Sequence, residues 1–280
     1  MNAQLAPLSE TRGYIGGGNI AGILGLSPFK SPLDEYLTIT SELPVELSPQ
    51  KKEFFEDRRD LEPWAAKKFT RRTGLQVVRT NVRYDDAEFA WAKAEIDFEP
   101  DEDDATGETK TVHPNAVGQW GDPEEDEEPP LYVTAQAMWG LGVTGKRKCY
   151  VNALIGFDDH RVYVVNRDDE LIANMRAHAA RFWKYHIEPR RMPQPTTIED
   201  LLRLYARDSG RAVEAAPEIC KALTDICTER QVIKLHESRR DTYEYQIKAF
   251  MRDATTLLVS GQPVLTWKAR TDGVRVFRIR

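Results

Sequence analysis

The amino-acid sequence predicts an α/β (α+β) protein, with a central mixed sheet flanked by helices and a C-terminal helical extension ending in a β-hairpin. Three observations carry this expectation. Apolar residues recur at helical spacing through most of residues 19–73, at alternate positions across 75–112, and again at helical spacing from 131. Two more alternating runs, 148–157 and 161–166, precede an amphipathic stretch, so the order is helices, three strands, helix, two strands, helix. Pro189, Pro193 and Pro195 then mark a break. The 280 residues suffice for one large domain or one domain with an appendage. The boundary is placed between a domain at 1–195 and an extension at 196–280.

Each element has a local reason. After the glycine-rich 13–18, residues 19–26 and 32–40 read as short helices, the second opened by Ser31 or Pro32. Residues 48–59 form a polar amphipathic helix that 62–73 resumes after Pro63, with Gly74 as its stop. Strands follow at 75–84, 89–98 and 107–112. A helix at 131–141 sets Tyr132, Gln136 and Trp139 or Gly140 on one stripe, and Gly145 ends it. Strands 148–157 and 161–166 turn at Asp158-Asp159, and 168–186 is an amphipathic helix with Leu171, Ile172, Met175, Phe182 and Trp183 on its apolar face. Beyond the prolines come helices at 198–207 and from 217 to about 258. The final hairpin pairs 263–268 with 274–279 through Asp272-Gly273, its Trp267 packed in the hairpin.

Composition excludes several classes. The longest apolar run, 20–26, is far shorter than the roughly 18 residues of a membrane span. No basic segment followed by an apolar block opens the chain, so a cytoplasmic location is expected, with no membrane partner. Cys149, Cys220 and Cys227 lack C-x-x-C spacing, so no zinc or iron-sulfur cluster is expected, and they read as buried thiols. The string from Gly16 to Ala21 satisfies G-x-G-x-x-A but follows no apolar strand, so it reads as a flexible turn before a helix. The five histidines are scattered, and neither G-x-S-x-G nor a phosphate-binding G-x-x-x-x-G-K-S/T occurs.

Charge is uneven. Against a net charge of −6, residues 85–108 hold 11 carboxylates and 122–128 another 6, with Lys93 the sole cation in either stretch. Elsewhere basic residues outnumber acidic ones. An acidic region in a basic frame suits a metal site set against a phosphate chain, although 122–128 also reads as a solvated loop.

The chemistry concentrates at Asp97 and Glu108-Thr109-Lys110. Alternation puts Glu108 and Lys110 on the same side of their strand, and an antiparallel pairing across a turn at 99–106 would bring Asp97 beside Glu108. Two hard oxygen ligands with waters suit Mg²⁺ or Mn²⁺. Lys110 is then placed to hold or deprotonate an attacking water, partial burial lowering its basicity. The competing reading is an ordinary surface hairpin with an i, i+2 charge pair. Glu62 on an upstream helix and Gln136 on a downstream one can project toward the same face.

With those residues in order, the chain resembles the YqaJ-type phage recombinase nucleases, relatives of lambda exonuclease in the PD-(D/E)xK superfamily. The resemblance runs from about Gly13 to Trp183. It is carried by Ile15-Gly16-Gly17, by the run from Ile23 to Pro32, by Leu61-Glu62-Pro63 and Thr73-Gly74, by Ala94-Glu95-Ile96-Asp97 and Glu108-Thr109-Lys110, and by Trp120, Tyr132 to Gln136 and Val143-Thr144-Gly145.

The resemblance implies a restriction-endonuclease-like sheet and a Mg²⁺-dependent DNA exonuclease, with Mn²⁺ as substitute. It implies that Asp97, Glu108 and the Thr109 carbonyl bind metal, that Lys110 is the catalytic lysine, Glu62 the helix carboxylate, and Gln136 the residue orienting substrate or nucleophile. Arg12, Gly18, Asn19, Lys30 and Tyr132 are its DNA-contacting candidates. The chain departs from the family in Gly18-Asn19, where Ser-Asp is usual, and in Phe98, where glycine is common. Resection of duplex ends, 5′ to 3′, would expose single strands to an annealing partner protein, from a homo-oligomer in the form of a trimeric ring. Two alternatives stay open: an endonuclease of the same fold, and a non-catalytic module binding DNA ends or a partner.

Overall fold

A computed structural model describes residues 13–40, 48–102, 104–125 and 127–280. Contacts divide the chain into two units, Met1–Arg207 and Asp208–Arg280.

Unit 1 is built on a five-stranded sheet in the order β1-β2-β3-β4-β5, formed by β1 (Val77–Asp85), β2 (Lys93–Pro100), β3 (Ala105–Val112), β4 (Lys148–Ile155) and β5 (Asp159–Asn166). β3 and β4 are parallel and the other pairs antiparallel, so the sheet is mixed. A parallel pair needs a crossover connection. Here it is α4 (Leu131–Thr144), stopped where Gly145 adopts φ 75° and returns its N–H to Leu141.

Alternation along β2 and β3 divides the residues between two helical layers. Phe98 meets Phe69 of α3 (Pro49–Thr73), ring centroids 4.8 Å apart, and Tyr150 of β4 joins them. Asn152 is wholly buried, its amide on the Ala65 carbonyl of α3 and its oxygen against His160. On the other side the core joins α1 (Gly17–Ile23), α2 (Pro32–Thr40), α4 and α5 (Asp169–Phe182) through Ile20, Leu33, Trp139, Val151 and Ile172. α6 (Ile198–Leu204) belongs to unit 1: buried Asp200 accepts from Ser31 Oγ at 2.6 Å and caps its own helix.

Several elements differ from expectation. α3 runs unbroken through Pro63, which with Arg59, whose carbonyl loses its amide partner to the proline, lies on an exposed face of the helix. β2 starts at Lys93 rather than 89, because Asp86 draws the N–H groups of Glu88 and Phe89 into a turn and Trp91 stacks between Phe89 and Trp183.

Unit 2 contains α7 (Pro217–Met251), then β6 (Thr256–Val259), β7 (Gln262–Ala269) and β8 (Arg275–Ile279) in a three-stranded sheet. The helix was expected to reach about 258. It stops at Arg252, and β-prone Thr256–Val259 turns back through Ser260 and Gly261, both at positive φ as a two-residue hairpin requires. Trp267 is clamped by Arg275, whose guanidinium lies 3.6 Å from the ring centroid. Cys149 is buried as expected, but Cys220 and Cys227 are exposed because α7 is a surface helix. Among the described residues no helix is long and apolar enough to cross a membrane.

Candidate active site on the β2–β3 opening

The site forms where two paired strands part. Phe98 pairs with Gly107, and beyond that pair the Asp97 side chain replaces a backbone partner, its Oδ2 accepting the Thr109 N–H at 2.8 Å. In an extended strand the N–H and C=O of one residue point to the same edge, so the Thr109 carbonyl faces the opening that holds Asp97.

Glu108 and Lys110 leave β3 on the face covered by α4. Lys110 Nζ donates to Glu108 Oε1 at 2.5 Å and to Gln136 Oε1 at 2.8 Å, while Gln136 Nε2 donates to Glu108 Oε1 at 2.7 Å. The three side chains thus form a closed triangle in which each group is oriented by the other two. α1 makes room for it: a side chain on Gly17 would come within 3.2 Å of Gln136 Cγ, so this glycine serves close approach of α1 to α4. That is the structural use of the glycine string.

The electrostatics follow from burying more negative than positive charge. Burial first, and then the Glu108 charge, push the Asp97 carboxyl well above the usual carboxylate range, with Glu62 adding to the effect and Lys110 and the Thr109 N–H opposing it. Burial alone would lower the Lys110 ammonium, but Glu108 and Asp97 outweigh it and hold the group above its ordinary value. This runs against the expected loss of basicity: in the metal-free protein the two carboxylates favour the protonated form of Lys110. Glu62 lies at the edge of the cluster, 3.5 Å from Asn81 Nδ2.

Two carboxylates sharing one ammonium leave negative charge uncompensated, and the donors at the opening are hard oxygens. These residues fit a small divalent cation held by Asp97, Glu108, the Thr109 carbonyl and water. Among the described residues no group of three or more His, Cys, Asp or Glu side chains could hold a metal ion.

The DNA-contacting candidates separate. Arg12 lies outside the described residues. Gly18 is exposed on α1. Asn19 is turned inward, 4% exposed, accepting the Gly16 N–H at 2.9 Å and donating to Glu35 at 2.7 Å, so its amide is committed to the fold. Lys30 reaches the same buried Glu35 at 3.3 Å while remaining partly exposed. Tyr132 stands beside the site: burial raises its phenol and the Lys110 charge opposes that.

Two residues escaped the sequence reading. Phe29 packs edge-on against Tyr132 at 5.5 Å yet stays 72% exposed, presenting an aromatic face beside the opening. Arg58, one helical turn before Glu62, donates to the Thr111 carbonyl at 2.7 Å and to the Thr111 hydroxyl, tying α3 to the strand that carries Lys110. Its spacing from Glu62 was the available signal.

A model of the YqaJ-like viral recombinase domain matches residues 8–147. A Bacillus subtilis (strain 168) protein described as uncharacterized protein YqaJ is 29% identical over 254 residues, 88% of this chain and 78% of the relative. Among solved structures, the alkaline exonuclease LHK-Exo from Laribacter hongkongensis is similar at a TM-score of 0.50 and 18% identity, over 69% of this chain and 94% of that one. LHK-Exo in complex with dAMP gives 0.51 and 20% identity, over 71% and 96%. At these identities the likeness is one of fold.

Proposed function

The chain belongs to the YqaJ-like viral recombinase domain family, and from that premise we propose that it is a Mg²⁺-dependent DNA exonuclease that degrades duplex ends. The observation that carries this reading is the convergence of Asp97, Glu108, Lys110 and Gln136 at one opening of the sheet. The alkaline-exonuclease fold supports it, and the relative LHK-Exo binds dAMP, a mononucleotide of the kind such cleavage releases.

In the proposed reaction a water attacks phosphorus in line with the 3′ oxygen and gives up a proton to solvent, the P–O3′ bond breaks, O3′ leaves as a hydroxyl after taking a proton from solvent, and the phosphate stays on the 5′ carbon. The divalent cation, when bound, supplies charge stabilisation at the phosphoryl oxygens and lowers the pKa of water. Asp97, Glu108 and the Thr109 carbonyl are the groups that would hold it, with Mn²⁺ as a substitute for Mg²⁺. Lys110, held protonated, donates to the nucleophile or a phosphoryl oxygen and fixes its position. Gln136 holds Lys110 and Glu108 in register, and Glu62 at the edge of the site orients further water. Phosphoryl transfer asks a protein chiefly for such placement and charge.

Membership in a recombinase family supports 5′ to 3′ resection within the 1–195 domain, feeding single strands to an annealing partner. A trimeric ring would hold duplex DNA through successive turnovers, in the cytoplasm of a bacterial host. Incubation with linear duplexes bearing 5′-phosphate or 5′-hydroxyl ends, with and without Mg²⁺, tests this. Mononucleotide release from the linear 5′-phosphate substrate, only with metal, is expected. Cutting of covalently closed circles would establish an endonuclease instead, and no cleavage of any duplex would establish a non-catalytic module.

A further inference from the structure

Unit 2 carries a groove that the proposed nuclease reaction does not use. It is an open cavity of about 780 Å³ between α7 and β8. Its floor is apolar, made by Tyr243 and Ile247 of the helix and Phe277 and Ile279 of the strand. Ile279 is 74% exposed and Tyr243 56%, so the floor is left to solvent, where a covering partner gains by excluding water.

The rim is cationic. His236, Arg239 and Arg240 lie along one side, within about one turn of α7. Arg239 has no hydrogen-bond or ion-pair partner among the described residues. Arg240 meets Asp241 at 2.8 Å, but both side chains are more than half exposed, where such a pair is weak and easily exchanged. The one carboxylate of the lining, Glu244, is taken by Lys248 at 2.7 Å. The groove therefore presents Arg239 unpaired, and Arg240 in a pair open to exchange, beside an apolar trough.

We infer that the α7–β8 groove docks an acidic peptide segment of a partner protein, which sets apolar side chains on the Tyr243, Ile247, Phe277 and Ile279 floor and carboxylates against Arg239 and Arg240. A single-stranded nucleic acid would also meet the cationic rim, but it needs flat aromatic faces for its bases. Two of the four floor residues are aliphatic, and Lys248 lies 4.9 Å from the Phe277 ring centroid, so Tyr243 alone is left as a platform. Alternating apolar and acidic side chains match the groove better than stacked bases do.

The test is fluorescence anisotropy on the full chain, with a labelled synthetic peptide alternating glutamate with leucine and phenylalanine. Binding is expected for this probe and its loss when lysine replaces the glutamates or serine replaces the apolar residues. Arg239→Glu should weaken binding by about tenfold or more, as charge reversal does at a rim that selects its partner by charge. Ile279→Ser should weaken it too, and because both residues are exposed, neither should move the thermal midpoint. Failure of the acidic probe to bind, or equal binding by Arg239→Glu, overturns the inference. So does labelled oligothymidylate binding that Arg239→Glu abolishes while the peptide is ignored. Nuclease activity on naked linear duplex should be unaltered in Arg239→Glu, which separates this test from that of the active site.

Discussion

The ring of Phe98 occupies the space that a side chain on Gly107 would need: a Cβ there would come within 2.1 Å of Phe98 Cζ. The two residues face each other across β2 and β3, and each is followed or preceded by a site carboxylate, Asp97 before Phe98 and Glu108 after Gly107. A large residue on one strand and none on the other let the ring settle on Phe69, and the ladder ends one step further on, where Asp97 turns to Thr109. The bulk of Phe98 is thus compensated across the sheet by the missing side chain of Gly107.

Gly107→Ala should therefore destabilise the fold by about 1–3 kcal/mol, the usual cost of overpacking a tight core. Phe98→Ala in the same chain removes the clash, so the double variant should be less destabilised than the two single losses summed. Urea melts of the four proteins measure the coupling. Strict additivity would show that ring and glycine do not share the space.

Asp97→Asn and Lys110→Ala separate charge from chemistry. In the metal-free protein Asp97 is a half-buried carboxylate repelled by Glu108, so the isosteric amide should leave the melting temperature unchanged or higher, while abolishing cleavage and the Mg²⁺-induced rise in midpoint. Lys110→Ala should abolish turnover and retain duplex binding by filter retention. Because Lys110 offsets Glu108 and Asp97, its loss should also lower metal-free stability by about 1–3 kcal/mol, the range for stranding a hydrogen-bonded charged group. Wild-type cleavage by either variant would remove it from the mechanism.

The strands, and the meeting of Glu108, Lys110 and Gln136 on one face, were legible because alternation in β3 and the stripe on α4 are local patterns. The choice of these residues and Asp97 as a site came from the family resemblance. The rest depends on distant contacts. Phe29 and Arg58 acquire meaning only when α4 and β3 are folded against them. Asn19 is a DNA-contacting candidate by resemblance alone, and a glutamate 16 residues away claims its amide. The exposed thiols of Cys220 and Cys227 follow from α7 standing at the surface, which composition does not reveal.

The turn that re-aims the chain from β1 to β2 is held by Arg176, which pairs with both Asp86 and Glu88. Burial pushes the Asp86 carboxyl up, but hydrogen bonds from Arg176 and from the N–H groups of Phe89 and Glu88 prevail and hold it below its ordinary value. The Asp86 side chain is only 2% exposed in this pair. A carboxylate with a depressed folded value contributes stability that is complete above its unfolded pKa, about 3.9, and is lost as pH falls through the folded value. Asp86→Asn should cost about 1–3 kcal/mol at neutral pH, as for a hydrogen bond to a charged group. That deficit should shrink as the wild type is acidified. A pH-independent deficit would mean that the loss is one of packing rather than charge.

The three thiols should differ in reactivity as sharply as in placement. The Cys149 thiol is pushed up to about 12, by burial first and then by the nearby Glu108 and Asp97 charges, with Thr106 and Lys110 opposing. Only the thiolate attacks an alkylating reagent, so Cys149 is both shielded and almost wholly protonated at neutral pH. Cys220 and Cys227 stand exposed on α7. Iodoacetamide on the native protein should label two thiols per chain, both in α7, with Cys149 joining only on unfolding. Mass spectrometry of the digested protein locates each label. Rapid labelling of Cys149 in the folded state would mean that the face of β4 beneath the site opens to solvent, and with it the buried environment that sets the charges of Asp97 and Lys110.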